Sequence, residues 1–165
     1  MSGVLTKCMA ISSKYPIIRG MVSYGISWPL GSLIQQSLSD DKELDFVKAA
    51  KFGLYGSCFV APTFYTWLTV AGAMFPLVTL RSALAKAVIE QVSFSPFTMV
   101  CFYFGMTILQ GGTKEEAAEE VKQKFLPTYK VGVCVWPFLQ TINYTLIPEK
   151  NRVVFISFCS LLWTT

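Results

Sequence analysis

The sequence predicts an all-α fold: a polytopic membrane bundle of four transmembrane helices, with a short interfacial amphipathic helix and a C-terminal apolar helix. Three observations predict it. Charge is segregated: residues 20–39, 52–80, 91–113, 131–148 and 153–165 contain no Asp, Glu, Lys or Arg, and the 14 basic and 10 acidic residues all lie in the N-terminal arm or in short islands between those stretches. A soluble domain instead spreads charge over the outer face of nearly every surface helix. Four of the five stretches approach or exceed the ~20 apolar residues that a hydrocarbon core of ~30 Å demands. Mean hydropathy is +0.48, and aromatic residues reach 15%.

The elements follow in order. The first crossing spans residues 17–38 and contains Gly20, Gly25, Pro29 and Gly31, which a membrane helix tolerates because its neighbours re-satisfy freed backbone groups. The second spans 49–75. Its Ala49, Gly53, Ser57 and Ala61 repeat at every fourth position, a small-residue face that lets another helix approach closely and that offers a surface for homo-oligomer formation. Pro62 is expected to kink this helix near its centre, and Pro76 to end it. The third element spans 80–110, with Lys86 and Glu90 four apart on one face and Pro96 marking a kink or break.

Thr113 followed by Glu116 is a capping-box pattern. It opens a short surface helix over 114–125, whose narrow apolar stripe (Ala117, Ala118, Val121, Phe125) suits the membrane interface. The fourth crossing spans 129–147, ends at Pro148, and has in Trp136-Pro137 a place to bend. At 1.5 Å per residue its 18 charge-free residues reach ~27 Å, enough to span. The last apolar helix, 153–165, is short for a crossing. If all five segments cross, the 14 Lys and Arg divide seven against seven, so the positive-inside rule sets no orientation.

Composition also excludes. The chain has 165 residues, enough for one membrane domain over 1–165, and its net charge of +4 is too small and dispersed for a nucleic-acid surface. Its five Cys (Cys8, Cys58, Cys101, Cys134, Cys159) form no CxxC pair and fall mostly in apolar stretches, where a thiol packs as a small hydrophobe. With no His, Ser-His-Asp and Cys-His catalysis and most zinc chemistry are absent. No metal, cofactor or enzymatic activity is therefore expected. The first 19 residues carry Lys7, Lys14 and Arg19 and no acid, a start that leans toward mitochondrial delivery.

Polar residues inside the apolar stretches are the candidates for function. Gln140 and Asn143 are three apart, share a face, and lie deep in the fourth crossing. An unsatisfied amide in hydrocarbon costs several kcal/mol, so the pair must face the bundle or a watery cavity. Both uses remain open: helix–helix hydrogen bonding or the wall of a solute path. Asn143-Tyr144-Thr145 also matches a glycosylation sequon, one that membrane depth makes meaningless.

The C-terminal third resembles a known family. Trp136-Pro137, Gln140, Asn143, Pro148 and Arg152, with Trp163 eleven residues later, are similar to the signature of the Mpv17/PMP22 family. Upstream, Asp45, Lys48, Lys51, Gly56, Pro62 and Trp67 follow the same family's spacing, as do Lys86, Glu90, Gln91 and Pro96, and Tyr15-Pro16 with Gln35. The run 102–111, with 122–125 after it, looks most like the Mpv17-like branch. Departures are Ser32 where the family carries Asp, Ala61 for Gly, Tyr65 for His and Leu68 for Tyr. If the lost Asp and His line or gate a pore, conductance here is altered.

That resemblance implies a four-helix organellar protein of the mitochondrial inner membrane, or alternatively of the peroxisomal membrane, tied to metabolite supply and reactive-oxygen balance. It implies a weakly selective channel for small solutes. Its expected lining is Gln91, Gln140 and Asn143. Gly56, Pro62, Pro96, Trp136, Pro137 and Pro148 shape the path or act as hinges, and Asp45, Lys48, Lys51, Lys86, Glu90 and Arg152 stand at its mouths. The alternative is a non-conducting membrane organiser that binds protein partners through its small-residue face and interfacial helix.

Overall fold

The computed structural model describes residues 15–38, 44–77 and 79–164. The basic start with Lys7, Cys8 and Lys14 lies outside them. The described residues are helical nearly throughout: α1 (Pro16–Leu38), α2 (Phe46–Tyr55), α3 (Ala61–Met74), α4 (Leu80–Ile89), α5 (Ser95–Leu109), α6 (Lys114–Leu146) and α7 (Arg152–Thr164). They group into two units, one comprising residues up to Thr66 with those from Pro148 onward, the other Trp67–Ile147.

Pro62 and Pro96 do not break the helices that contain them. Each follows a π-helical turn, Gly56–Val60 between α2 and α3 and Glu90–Phe94 between α4 and α5. In both turns the N–H of the residue before proline, Ala61 or Ser95, reaches back five residues, to the carbonyl of Gly56 or Glu90. Proline has no N–H and its ring collides with the carbonyl four residues back. A locally wider turn relieves that collision while the chain stays helical. Leu80–Leu109 is thus one helix of 30 residues, and among the described residues it is the helix long and apolar enough to cross a membrane. α1 has the length, but its Gly, Ser, Gln and Pro residues lower its apolarity.

In the first unit α1 is packed on two sides. Along α2 and α3 the small-residue face meets α1 in antiparallel register. A Cβ on Gly53 would lie 2.6 Å from Pro29 Cγ, one on Gly25 would lie 3.6 Å from Ser57 Oγ, and one on Gly20 would lie 3.8 Å from the Ala61 methyl. The small-residue face therefore packs against α1 of the same chain. α7 runs parallel to α1, with Arg19 Nη1 donating to Asn151 Oδ1 at 2.7 Å, then Gly20 against Val153, then Ser23 hydrogen-bonded to Ser157. At the far end of α1 the Gln36 amide holds both backbone atoms of Asp45: the Asp45 N–H donates to Gln36 Oε1 at 2.6 Å and Gln36 Nε2 donates to the Asp45 carbonyl at 3.3 Å.

The second unit corrects an expectation. The surface helix over 114–125 and the crossing over 129–147 are one 33-residue helix, α6, with Pro127 and Pro137 inside it. Pro127 removes one hydrogen bond, to the carbonyl of Gln123, but Gln123 is exposed, so water can satisfy that group. Contacts across the proline hold the helix together. Phe125 and Tyr129 stack with centroids 5.5 Å apart, and the Thr128 hydroxyl is 2.7 Å from that of Tyr103 on α5. The helix starts where the capping box predicts: the Glu116 N–H donates to Thr113 Oγ1 at 3.2 Å and the Thr113 N–H donates to Glu116 Oε2 at 2.7 Å. It ends at Ile147, which is extended (φ −93°, ψ 125°) because Pro148 disfavours the helical region for the residue before it.

Two outcomes follow from this packing. Gly20→Val forces a side chain into a place where even a Cβ would lie 2.5 Å from Val153 Cγ1; thermal unfolding in detergent should show a loss of about 1–3 kcal/mol, whereas Gly25→Ala stays near wild type. The capping box is pH-dependent. The backbone N–H of Thr113, and then its side chain, hold the Glu116 carboxyl below the usual carboxylate range. A lowered folded value stabilises fully above the unfolded value and is lost as pH falls through the lowered one. Acidification should therefore fray the first turn of α6, read by amide exchange relative to an internal helix. Glu116→Gln should abolish that dependence, and an identical profile in the variant would contradict the assignment.

Candidate functional site

The second unit contains a buried polar cluster built from three helices, and its centre is Glu90. This side chain sits at the start of the π-turn and is 7% exposed. Its carboxylate accepts from three donors. Trp67 Nε1 donates to Oε2 at 2.7 Å, the Tyr144 hydroxyl donates to Oε2 at 2.8 Å, and Gln140 Nε2 donates to Oε1. Trp67 comes from α3, Gln140 and Tyr144 from α6. The two α6 residues are four apart and so share a face, and Trp67 is fixed by stacking on Phe94 at 4.9 Å. A buried carboxylate survives only when its lone pairs are met by well-placed donors, and this one is met from both neighbouring helices.

The cluster extends outward from Glu90. Asn143 Nδ2 donates to Gln140 Oε1 at 3.0 Å. Lys86, one turn before Glu90 and itself buried, places its ammonium 5.3 Å from the Tyr144 ring centroid, within cation–π range. Gln91 is buried beside Glu90. Adjacent residues of an α-helix point about 100° apart; the wider π-turn narrows that divergence and turns both side chains inward. The Tyr129 hydroxyl donates to the Gln91 backbone carbonyl at 2.8 Å. Two amide atoms, Asn143 Oδ1 and Gln91 Nε2, are buried with no hydrogen-bond partner among the described residues.

The structure thus brings Glu90, Gln140 and Asn143 into one hydrogen-bonded chain, with Lys86 and Gln91 on the flanks. Of the charges expected at the mouths, Lys86 and Glu90 are buried within the cluster. In the first unit, Asp45 is the N-cap of α2, accepting from the Lys48 N–H at 2.8 Å, and the Arg152 side chain is buried, 3.7 Å from Glu149. Lys48 and Lys51 are half-exposed on α2. Gly56 opens the first π-turn against the Trp28 ring, Pro62 follows that turn, and Pro148 caps the 3₁₀ turn before α7. In the second unit Pro96 follows the π-turn at Glu90, and Trp136 lies against Gly132.

Tyr144 and Trp67 were not expected as partners of Glu90. The helical spacing of Gln140 and Tyr144 was a legible signal for the first. Nothing in the spacing of Trp67, 23 residues before Glu90, indicates the second.

The Mpv17 / PMP22 family model matches residues 107–165, which include Gln140, Asn143 and Tyr144. An Mpv17-like protein of Xenopus laevis is 34% identical over 156 residues, covering 93% of this chain and 76% of that protein. The chain belongs to the Mpv17/PMP22 family. Within the family it is most similar to the Mpv17-like branch. PXMP2/4 family protein 4 of Dictyostelium discoideum is 33% identical, covering 91% of this chain and 83% of that protein. The protein named mitochondrial inner membrane protein Mpv17 in Caenorhabditis elegans is 28% identical, covering 81% of this chain and 74% of its own. Relatives named mitochondrial inner membrane protein Mpv17, in Caenorhabditis elegans and Caenorhabditis briggsae, support the mitochondrial inner membrane as the location of this chain. No solved structure matches it.

Removing the central acceptor tests the cluster. Glu90→Ala leaves three donors unmatched, two of them on buried residues at about 1–3 kcal/mol each, and should abolish cooperative folding in detergent or lower its midpoint sharply. Tyr144→Phe deletes one donor and leaves Trp67 on the same oxygen, so a loss of about 1 kcal/mol is expected. Equal melting of Glu90→Ala and wild type would show that Glu90 holds nothing together.

Proposed function

We propose that this protein is a weakly selective channel for small solutes in the mitochondrial inner membrane, acting as a conduit and catalysing no reaction. In this reading the chain crosses four times: through α1, through α2 and α3 with their π-turn, through α4 and α5 with theirs, and through the second half of α6. Short α7 packs on α1. The observation that carries the proposal is the pair of buried amide atoms, Asn143 Oδ1 and Gln91 Nε2, lacking partners among the described residues on helices otherwise built for an apolar medium. Polar groups at membrane depth mark watery paths, and a wall of uncharged amides with apolar constrictions passes small solutes with little selectivity.

Gln91, Gln140 and Asn143 are the proposed lining. Lys86 and Glu90 belong to the wall behind them, with Glu90 holding Gln140 in place. In this reading the leak serves metabolite supply and reactive-oxygen balance. A second reading, a non-conducting organiser, is favoured by one observation: Trp67, Gln140 and Tyr144 all donate to Glu90, as side chains that only join helices would.

Flux through proteoliposomes separates the two. With a size series of uncharged and anionic solutes, the channel gives a size-limited leak, and Gln140→Leu with Asn143→Leu reduces it at least tenfold without loss of insertion. No leak from correctly inserted wild-type protein would refute the channel and leave the organiser. Unchanged leak in the double variant would remove these residues from the lining.

A further inference from the structure

The directions of the hydrogen bonds in the cluster are dictated from one end. In its ionised form Glu90 offers only acceptors, and the Trp67 indole and the Tyr144 hydroxyl already donate to its Oε2. The side chain facing Glu90 Oε1 must therefore present N–H, so Gln140 turns its NH₂ to Glu90 and its carbonyl away. Asn143 must then present its own NH₂ to that carbonyl, as it does at 3.0 Å. Its remaining carbonyl oxygen necessarily points onward. Rotating either amide by 180° would set oxygen against oxygen. The Asn143 carbonyl is thus held as an acceptor by a carboxylate two links away, on a residue that is 0% exposed, and it has no partner among the described residues.

We propose that Asn143 Oδ1 is the contact point of a binding site for a small neutral hydroxyl-bearing molecule, and that Glu90 sets the polarity of that site through Gln140. A fully buried amide oxygen without a donor is unfavourable, and a bound O–H group supplies the missing donor. Water and a polyol share this chemistry. A molecule that only accepts hydrogen bonds does not fit, because oxygen would face oxygen. Asn143 is a ligand-contacting residue here, and Glu90 and Gln140 are positioning residues.

Glu90→Gln inverts the relay. The Trp67 and Tyr144 donors keep the new side-chain oxygen on their side, so its NH₂ faces Gln140. Gln140 then turns its carbonyl to position 90 and its NH₂ to Asn143. The Asn143 oxygen becomes internally satisfied, and its NH₂ points onward in its place. The same site then admits an acceptor-only molecule such as dimethyl sulfoxide, which the wild-type oxygen repels, and a hydroxyl there can only accept.

Infrared spectroscopy of the full chain in lipid tests this whether or not solutes are conducted. The protein carries ¹³C at its asparagine side-chain amides, and subtraction of the Asn143→Leu spectrum isolates the Asn143 carbonyl stretch. In wild type we expect the lowered frequency of a hydrogen-bonded carbonyl. A band already lowered in water alone and unmoved by erythritol assigns the donor to water. A band that moves on adding erythritol assigns it to a polyol hydroxyl. A band at the free-carbonyl position in both media overturns the site. In Glu90→Gln the band should be insensitive to erythritol and to partial drying. Where that variant does not fold, Gln140→Leu, which removes the middle link and frees the Asn143 amide to turn, should likewise change the wild-type response. If both folded variants respond as wild type does, the polarity relay is wrong.

Discussion

A carboxylate buried among apolar helices constrains everything near it. Glu90 needs donors on both oxygens, and the fold supplies them from three directions: an indole on α3, and an amide and a phenol one turn apart on α6. Those bonds fix the rotation of α6 about its axis, because Gln140 and Tyr144 share a face. Once α6 is so turned, Asn143 must lie against Gln140 and the Lys86 ammonium over the Tyr144 ring. The remaining contacts of the second unit, such as Tyr129 on the Gln91 carbonyl, extend an arrangement that Glu90 already dictates.

The prolines contribute geometry to the same end. A π-turn before Pro96 leaves Leu80–Leu109 unbroken while turning two consecutive polar residues inward, which a regular α-helix does poorly. The first unit contains the corresponding device before Pro62 and uses it for packing. There Gly56 begins the turn and lies flat against Trp28, where an added Cβ would be 3.0 Å from the ring. One local solution to the same steric conflict thus serves a polar cluster in one unit and a close helix approach in the other.

Small residues dominate the first unit for a reason peculiar to membranes. Lipid chains are as apolar as Leu side chains, so helices gain little from burying Leu against one another, and close van der Waals approach with occasional polar bonds must hold them. Gly20, Gly25, Gly53 and Ala61 allow that approach, and the bonds from Arg19 to Asn151 and between Ser23 and Ser157 supply the polar part. A seam of this kind has little slack, since a single added methyl group meets atoms at both its tightest points.

Much of this was legible in the residues alone. Segregated charge indicated helices and membrane, the Thr113–Glu116 pair marked the start of α6, Pro148 marked its end, and the four-residue repeat from Ala49 to Ala61 announced a close-packed face. The spacing of Gln140 and Asn143 placed two amides on one buried side. These signals are local, governed by helical periodicity and by the backbone chemistry of single residues. What local rules cannot carry is partnership. That the small-residue face receives α1 of the same chain, that Pro127 is carried inside a continuous helix, and that Glu90 is a buried hub joined to Trp67 and Tyr144 all depend on which helices lie side by side. That choice belongs to the tertiary structure, because a hydrogen bond between residues 23 or 54 positions apart leaves no periodic trace in the chain.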